Sequence, residues 1–372
     1  MEETPSSFNV TSKVREVFVS VIFLKVGEID TLQETFEADV YIKVRWRECT
    51  LDHGTNKSLD EASQSKMWNP KIQIQNIIGS PRTRLSTEVE FTSQGDAYII
   101  ETRRIKGTFS ENLELHNFPF DVQDLSVLIT TELSDNQVSL LEDEKELSRV
   151  NPRGFLDAQE WTLRDHVEAT QNVNLSHEIF ATKKKYPTLT FTFIAFRRPG
   201  FFIWNIIFVM GLISSLSMTT FAIPFSGTEH RLQITATLVL TGVAFKFTAS
   251  QSLPKIPYLT YLDTHILGCM IILSGACVWH AVISLIPSAS LALTLDRVAF
   301  GVLVASLFLF HLLFGLVVYC KLRCKKAHND KAEKLYHEKA VAVYPDVYTK
   351  KLRRKPLFNK NNRNKRIATG PI

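Results

Sequence analysis

The first 197 residues of this 372-residue chain contain only one cysteine, Cys49. A segment with one cysteine cannot form an internal disulfide, so this part must be held by packing alone. The other cysteines, Cys269, Cys277, Cys320 and Cys324, lie in or beside apolar segments. Because no Cys-x-x-Cys pair is matched by a second pair of ligands, a structural zinc site is not expected.

The sequence motifs of the common enzyme classes are also missing. The chain has no Gly-x-Ser-x-Gly turn, no Walker loop, no His-Glu-x-x-His motif and no dinucleotide-binding glycine pattern. Its histidines are scattered along the chain. We therefore expect a protein that is not an enzyme and that needs no cofactor and no metal ion.

Charge of one sign is concentrated at one end of the chain. Residues 1–197 carry 22 basic and 31 acidic side chains, whereas residues 198–320 carry five and three. Residues 321–372 carry 16 and four, which gives this end a net charge of +12. Since the rest of the chain is not basic, no nucleic-acid partner is expected. The division predicts a polar domain, a membrane domain and a basic C-terminal tail.

Long apolar runs predict four membrane-spanning helices, at about residues 201–223, 231–251, 262–286 and 297–320. The second helix carries a regular stripe on one face, at steps of three and four residues. The stripe consists of Gln233, Thr237, Leu240, Ala244, Phe247 and Gln251. Polar side chains at such regular positions are unfavourable in a helix surrounded by lipid, so this face is expected to contact water. The alternative is a polar stripe buried between helices.

The N-terminal 197 residues show the alternation of period two that is typical of strands. Between residues 36 and 46 the even positions are apolar and the odd positions are mostly charged. Short strands separated by turn residues predict an all-β, immunoglobulin-like antiparallel sandwich ahead of the transmembrane helices. Asn9, Asn56 and Asn174 each begin an Asn-x-Ser/Thr sequon, which would suit a glycosylated extracellular surface.

A sandwich followed by four spans, the second with polar residues on one face, resembles the pentameric ligand-gated ion channels of the Cys-loop receptor superfamily. The resemblance covers about residues 14–320. The residues that carry it are Trp46, Trp68, Asn69, Pro70, the signature-like loop 118–123, Arg197, the linker 253–260 and Asp263. The two cysteines that close the family's loop are replaced by Glu111 and Leu125. Cys-less loops and a short connection at residues 287–296 resemble bacterial and some invertebrate members, whereas the basic tail resembles neither.

The resemblance implies a homopentamer whose second span lines a central pore. Leu240 would form a ring of five leucines that stops ions by dewetting, and a ring of Glu229 at the inner mouth would attract cations. Glu229 lies one position before the glutamate of typical cation-selective animal receptors, so an anion channel dominated by Arg231 is the alternative. A further alternative is a receptor-like membrane protein that conducts nothing because Phe247 keeps the pore shut.

The resemblance also implies an agonist site between neighbouring sandwiches. The family holds ammonium groups in an aromatic box, and Tyr41 and Tyr186 match two of its positions, with Phe180 nearby. Gln75 and Glu132 stand where aromatic residues would be expected, so quaternary amines should bind poorly, although Glu132 could pair with a cationic ligand. The alternative is that the two tyrosines are only interface residues.

Gating would pass through the junction between the two domains. Asp121 and Arg197 are expected to form a charge pair there that biases two states, and Asp30 is expected to face the linker at Pro254. The alternative is an ordinary structural salt bridge. The full predicted coupling set is Asp30, Phe118, Pro119, Phe120, Asp121, Arg197 and Pro254.

The implied location is the plasma membrane, with several spans and with the N-terminal domain outside. The expected partners are four identical or related subunits, a small-molecule agonist, membrane lipid and permeating monovalent cations. Four spans return residues 321–372 to the outside, although their basic side chains would favour the cytoplasm. A folded tail could bind lipid headgroups or the acidic sandwich.

Overall fold

The structure is a computed structural model that describes residues 14–54, 67–151, 154–175, 185–251 and 255–343. Ten strands come first in the chain. They are β1 (Arg15–Asp30), β2 (Thr35–Arg47), β3 (Ile72–Ile74), β4 (Ile77–Phe91), β5 (Ala97–Ser110), β6 (Val122–Thr131), β7 (Val138–Glu142), β8 (Arg149–Val150), β9 (Trp161–Leu175) and β10 (Lys185–Arg197).

The strands form two layers. One layer has the order β1-β2-β5-β4, with β7 and β8 beside β1, and the other has the order β3-β6-β10-β9. A short pairing of β8 with β9 joins them. This architecture confirms the predicted all-β sandwich followed by apolar helices.

The core of the sandwich comes from the alternating apolar positions. Val40, Ile42 and Val44 of β2 are fully buried, and the rings of Phe23 and Phe193 meet between the two layers with centroids 4.6 Å apart. Burial of apolar surface at about 25 cal/mol per Å² is what holds together a domain that lacks an internal disulfide.

The outer face of β2 is less exposed than its charged residues suggest. Asp39 is buried and accepts hydrogen bonds from Arg104 Nε and Nη2 at 3.0 and 2.7 Å. Arg45 is also buried, and it donates to both oxygens of Asp143 at 3.0 Å. Each buried charge therefore has a partner, as burial of an ionised side chain requires.

Four long helices follow the strands: α1 (Gly200–Ala222), α2 (Thr228–Ser250), α3 (Tyr261–Ile283) and α4 (Ala289–Val343). In the described part of the chain, four segments are long and apolar enough to cross a membrane: Gly200–Ala222, Phe225–Ser250, Tyr261–Ile283 and Ala289–Cys324. A π turn interrupts α1 at Ile203–Ile207. The Thr260 side chain and Asp263 form a capping box that starts α3.

Helix α4 has 55 residues and is about 80 Å long, far more than the ~30 Å that a bilayer core needs. Residue 320, the predicted end of the membrane domain, therefore lies inside a continuous helix. Residues 344–372 of the predicted tail lie outside the described residues.

The last turns of α4 pack against the sandwich. Tyr336 Oη donates to the Ser148 carbonyl at 2.9 Å, and Leu147 packs against Tyr336 and Ala340. Arg164 of β9 forms an ion pair with Asp330 at 3.1 Å and a second one with Glu333. The sequence predicts basic side chains of the tail on an acidic sandwich. In these two ion pairs the charges are reversed, because acidic side chains of the tail bind a basic side chain of the sandwich.

Candidate functional site

The two faces of α2 differ sharply in exposure. The predicted stripe and Glu229, one turn before it, are exposed at every position. These seven residues are Glu229, Gln233, Thr237, Leu240, Ala244, Phe247 and Gln251. The buried residues of the helix are Arg231, Thr235, Gly242 and Ala249, and they lie on the opposite face. Within this chain the stripe is therefore not buried between helices. The large apolar side chains of Leu240 and Phe247 on this stripe are 69% and 67% exposed.

The hydroxyl of Thr237 on the stripe is bonded within its own helix. Thr237 Oγ1 donates its proton to the Gln233 carbonyl at 2.8 Å, one turn back in the same helix. Its hydroxyl oxygen keeps its lone pairs, which can face a cation. The hydroxyl thus needs no acceptor from another helix.

Arg231 lies about 200° around α2 from Glu229, on the buried face. Its Nη1 and Nη2 donate to the two carboxylate oxygens of Asp296 on α4, at 2.9 and 2.8 Å. Its Nε donates to the Ile223 carbonyl at 2.8 Å. Trp279 Nε1 donates to the same carboxylate at 3.2 Å. The guanidinium therefore holds three helices together and does not lie beside Glu229.

The predicted pair at the domain junction is formed in the structure. Arg197 Nε donates to Asp121 Oδ1 at 2.8 Å, and both side chains are almost completely buried. Gln123 Nε2 donates to the other oxygen of Asp121 at 2.7 Å. The guanidinium carbon also lies 4.9 Å from the Phe118 ring centroid and 4.0 Å from that of Trp161. A cation enclosed by a carboxylate and two rings is strongly positioned.

The loop that carries Asp121 contacts two membrane helices at once. The ring of Phe118 packs against Phe202 of α1 at a centroid distance of 4.6 Å, and its carbonyl accepts from the Leu262 N–H of α3 at 3.2 Å. Pro119 is buried behind a cis peptide bond and Phe120 is half-buried. Motion of the loop would therefore be transmitted directly to α1 and α3.

Asp30 has a local role in the structure. Its carboxylate accepts from the Leu32 and Gln33 N–H groups at 2.8 and 3.1 Å, which closes the turn between β1 and β2. Pro254, its predicted neighbour, lies outside the described residues, as do Phe180, Asn9 and Asn56. Asn174 lies in β9, where its backbone pairs with Tyr186.

Glu111 takes over part of the role of the absent cysteine bridge. One of its carboxylate oxygens accepts both the N–H and the hydroxyl of Ser126 in β6, each at 2.6 Å. Ser126 directly follows Leu125, the second replaced position. Burial raises the pKa of Glu111, and the two bonds from Ser126 oppose that rise. A hydrogen-bonded carboxylate therefore ties the loop to the strand.

The candidate ligand residues divide between the two layers. Gln75 and Glu132 follow β3 and β6, and Tyr186 is in β10, so these three share one layer. Tyr41 lies in β2 of the other layer, where its hydroxyl donates to Thr102 Oγ1 at 3.5 Å. The structure does not bring Tyr41 together with the other three within one chain, because they belong to different layers.

Glu132 is exposed and already has partners. Gln73 Nε2 donates to its carboxylate at 2.6 Å, and Lys71 Nζ lies 3.5 Å away. An exposed ion pair of this kind is worth at most about 1 kcal/mol. A cationic ligand could therefore displace the lysine at low cost.

The sequence predicts, as one alternative, a tail that binds the acidic sandwich through its charges, but not the apolar contact that α4 makes there. Its apolar residues, Tyr336, Ala340 and Val343, are spaced by four and three positions, which is the signature of one helix face. That spacing within a charged segment is the signal that could have indicated a docked helix.

Comparison with known proteins gives a consistent result. The family model described as the neurotransmitter-gated ion-channel ligand binding domain matches residues 3–199. The gamma subunit of the acetylcholine receptor of Gallus gallus is 24% identical over 284 residues, which is 73% of this chain and 54% of that protein. A beta subunit of the gamma-aminobutyric acid receptor of Lymnaea stagnalis is 23% identical over 283 residues, 72% of this chain and 56% of that protein. The chain thus spans about half the length of the curated relatives it matches.

Proposed function

The chain belongs to the family of neurotransmitter-gated ion channels, and on that premise we propose that it is a subunit of a homopentameric, ligand-gated channel that conducts cations. Membership and the four apolar helices confirm the expected multi-pass plasma-membrane location with the N-terminal domain outside. They also confirm that the chain is not an enzyme. The relatives are named for two different transmitters, so agonist and selectivity must be argued from this chain's own residues.

The pore proposal is carried by the exposed stripe of α2. Five copies that pack through their other faces would direct seven exposed positions per chain toward a common axis. Leu240 would then form an apolar constriction that excludes water and ions, with Phe247 as a second ring above it. Gln233 and Thr237 would offer oxygen atoms to ions below the constriction.

The proposed cation selectivity is argued from the charged side chain that is exposed at the inner mouth, Glu229. Helix α1 leaves the sandwich, so α2 begins at the opposite end of the membrane domain, where Glu229 is exposed. A ring of five carboxylates attracts cations and repels anions. The alternative of an anion channel needs Arg231 at the mouth, but its guanidinium is buried against Asp296. The −9 charge of each sandwich would enrich cations at the outer entrance.

Ligand gating would begin at the interface between sandwiches. An agonist held between Tyr186 and Glu132 of one subunit and Tyr41 of the next would pull on β10. Strand β10 ends at Arg197, which is bonded to Asp121 of the loop. The loop in turn contacts α1 and α3, which pack against α2, so strain in the sandwich would reach the pore helix through its packed neighbours. A cationic small molecule suits Glu132 best.

A second candidate, a receptor-like protein that conducts nothing, is favoured by the bulk of Phe247 on the stripe. The two candidates are separated by recording from the purified chain in a planar bilayer with Leu240→Ser, which hydrates the proposed constriction. The channel proposal predicts ligand-independent current in this variant and none in Ile234→Ser, which changes an exposed residue off the stripe. Silence of an assembled Leu240→Ser pentamer would contradict conduction.

A further inference from the structure

Three side chains with metal-binding atoms converge between α3 and α4, away from the stripe of α2. His265 and Cys269 are one turn apart on α3, and His311 lies opposite them on α4. Their ligand atoms all lie within 4.8 Å of one another. The rings of the two histidines are nearly perpendicular, with centroids 5.3 Å apart.

His265 lacks the partners that a buried imidazole needs. Its side chain is fully buried, and neither ring nitrogen has a hydrogen-bond partner among the described residues. A neutral imidazole carries one donor and one acceptor, and leaving them unmatched inside an apolar site is unfavourable. A bound metal ion would give the acceptor nitrogen the partner that the protein does not supply.

His311 is already held in the form that binds a metal. Its Nδ1 lies 2.8 Å from the Leu307 carbonyl, which can only accept, so Nδ1 carries the proton and Nε2 keeps a lone pair. Ligand histidines commonly donate their second nitrogen to a carbonyl in this way. A Cβ atom at position 211 would lie 3.1 Å from Nε2, so Gly211 of α1 leaves the space beside this nitrogen open.

The close approach of the two helices explains why the three groups meet. A Cβ atom at Gly268 would overlap the ring of Phe310, so only glycine allows α4 to lie this near to α3. Phe310 and Phe314 then form an apolar wall around the ring of His265, at centroid distances of 5.8 and 4.8 Å. Cys269 is buried beside this wall as a free thiol.

We propose that His265, Cys269 and His311 bind one soft metal ion, and that this ion is Cu(I). Thiolate and imidazole are the donors that Cu(I) and Zn²⁺ prefer. One thiolate and two neutral imidazoles carry a single negative charge, which Cu(I) neutralises, whereas Zn²⁺ would leave a net positive charge in an apolar site. The thiol proton leaves on binding, and a side-chain rotation brings the donors to bonding distance of about 2.0–2.3 Å.

The ion would act as a clamp between α3 and α4 directly below the domain junction. His265 lies one turn beyond Leu262, whose N–H donates to the Phe118 carbonyl of the signature loop. Occupancy would therefore bias α3, one of the two helices that the loop contacts. The binding itself does not depend on conduction, so it can be tested separately from the channel proposal.

The test uses the full-length chain, purified in detergent, in which Cys49, Cys277, Cys320 and Cys324 are all replaced by serine. This variant removes thiols outside the site and keeps Cys269. After anaerobic loading with Cu(I) and desalting, we expect one copper per chain, with one sulfur and two nitrogen ligands by X-ray absorption. Adding Cys269→Ser should weaken the affinity, measured by competition with a Cu(I) chelator, at least tenfold.

Cys277→Ser alone is the matched control, because Cys277 lies on the same helix but outside the cluster, and it should leave copper binding unchanged. As a check that does not rely on a ligand variant, Cu(I) should raise the Tm of the wild-type chain. Absence of copper from the four-serine chain, or equal affinity with and without Cys269, would overturn the site. Binding of Zn²⁺ in preference to Cu(I) would overturn the assignment of the ion.

Discussion

Arg231 and Asp296 form a two-point ion pair inside the membrane domain, with the guanidinium nitrogens 2.9 and 2.8 Å from the carboxylate oxygens. The ion pair separates the environments of the two charged side chains near the start of α2, Glu229 and Arg231. Arg231 joins α2 to α4, while Glu229, two residues earlier, is exposed. Within this chain the charge exposed at the start of α2 is therefore that of Glu229, which is the basis of the proposed cation selectivity.

Replacement of Arg231 by glutamine should damage stability and leave selectivity alone. Removal of one partner leaves Asp296 buried and unpaired, a change that costs about 3–5 kcal/mol. We expect a lower Tm and a lower yield of assembled protein for Arg231→Gln than for Arg297→Gln, which changes an exposed neighbour of Asp296. A normal Tm together with a changed reversal potential would mean that Arg231 faces the ion pathway.

Asp121→Asn should uncouple the loop from β10. The substitution removes the charge partner of the buried Arg197 guanidinium on the loop, while Glu160 remains as its second partner, so we expect a cost of about 1–3 kcal/mol. We expect a lower Tm and faster hydrogen exchange in residues 115–123. Asp124→Asn, an exposed position on β6, is the control. Equal behaviour of the two variants would contradict a coupling role for the pair.

Tyr336→Phe should loosen the end of α4 from the sandwich. The variant keeps the ring but removes the donor to the Ser148 carbonyl, and a hydrogen bond of this kind contributes about 1 kcal/mol. Hydrogen exchange in residues 330–343 should accelerate about fivefold. Tyr319→Phe on the same helix removes a hydroxyl that is bonded only within α4 and should leave this exchange unchanged. Equal exchange rates would show that the contact contributes nothing.

Acidification should also release residues 330–343 of α4 from the sandwich. His166 of β9 lies beside the docked end of α4, with its ring centroid 6.1 Å from that of Tyr336. Burial lowers the pKa of His166 below its usual value near 6.5, and Arg164 and His337 act in the same direction, whereas Glu333 and Glu168 oppose them. As the pH falls through about 6.5, His166 binds a proton when α4 is undocked but stays neutral when α4 is docked. Docking is therefore strongest above this pH and weakens below it.

The measurement is the hydrogen exchange of residues 330–343 between pH 7.5 and 5.5, corrected for intrinsic rates. His166→Gln should remove the extra acceleration at low pH, and His116→Gln, an exposed residue at the membrane junction, should retain it. An acceleration that persists in His166→Gln would assign the pH response to another group.

Local patterns were sufficient to predict the sandwich strands, from alternation of period two, and the four spans, from apolar runs of about 20 residues. The stripe of α2 is visible for the same reason. Helix geometry also separates Arg231 from Glu229, since two residues correspond to about 200° of rotation. Its partner Asp296, however, is 65 residues away on another helix. No local pattern identifies such a partner.

The continuation of α4 beyond the membrane span is a second feature that local sequence does not predict. The apolar run ends and basic side chains accumulate after residue 320, which predicts a tail at residues 321–372. The helix continues because Tyr336 and Ala340 find an apolar surface at Leu147, almost 200 positions earlier in the chain. The contact expected between Asp30 and Pro254 stays a prediction, because Pro254 lies outside the described residues, while the Asp30 carboxylate accepts from N–H groups two and three residues away.

The central claim, a cation pathway governed by Glu229, is tested most directly by the reversal potential. We would record from the Leu240→Ser chain, which needs no agonist, with potassium chloride diluted tenfold on one side. The potential should move toward the potassium equilibrium value, and Glu229→Gln in the same background should move it back toward zero. A potential near the chloride equilibrium value, unaffected by Glu229→Gln, would contradict the account.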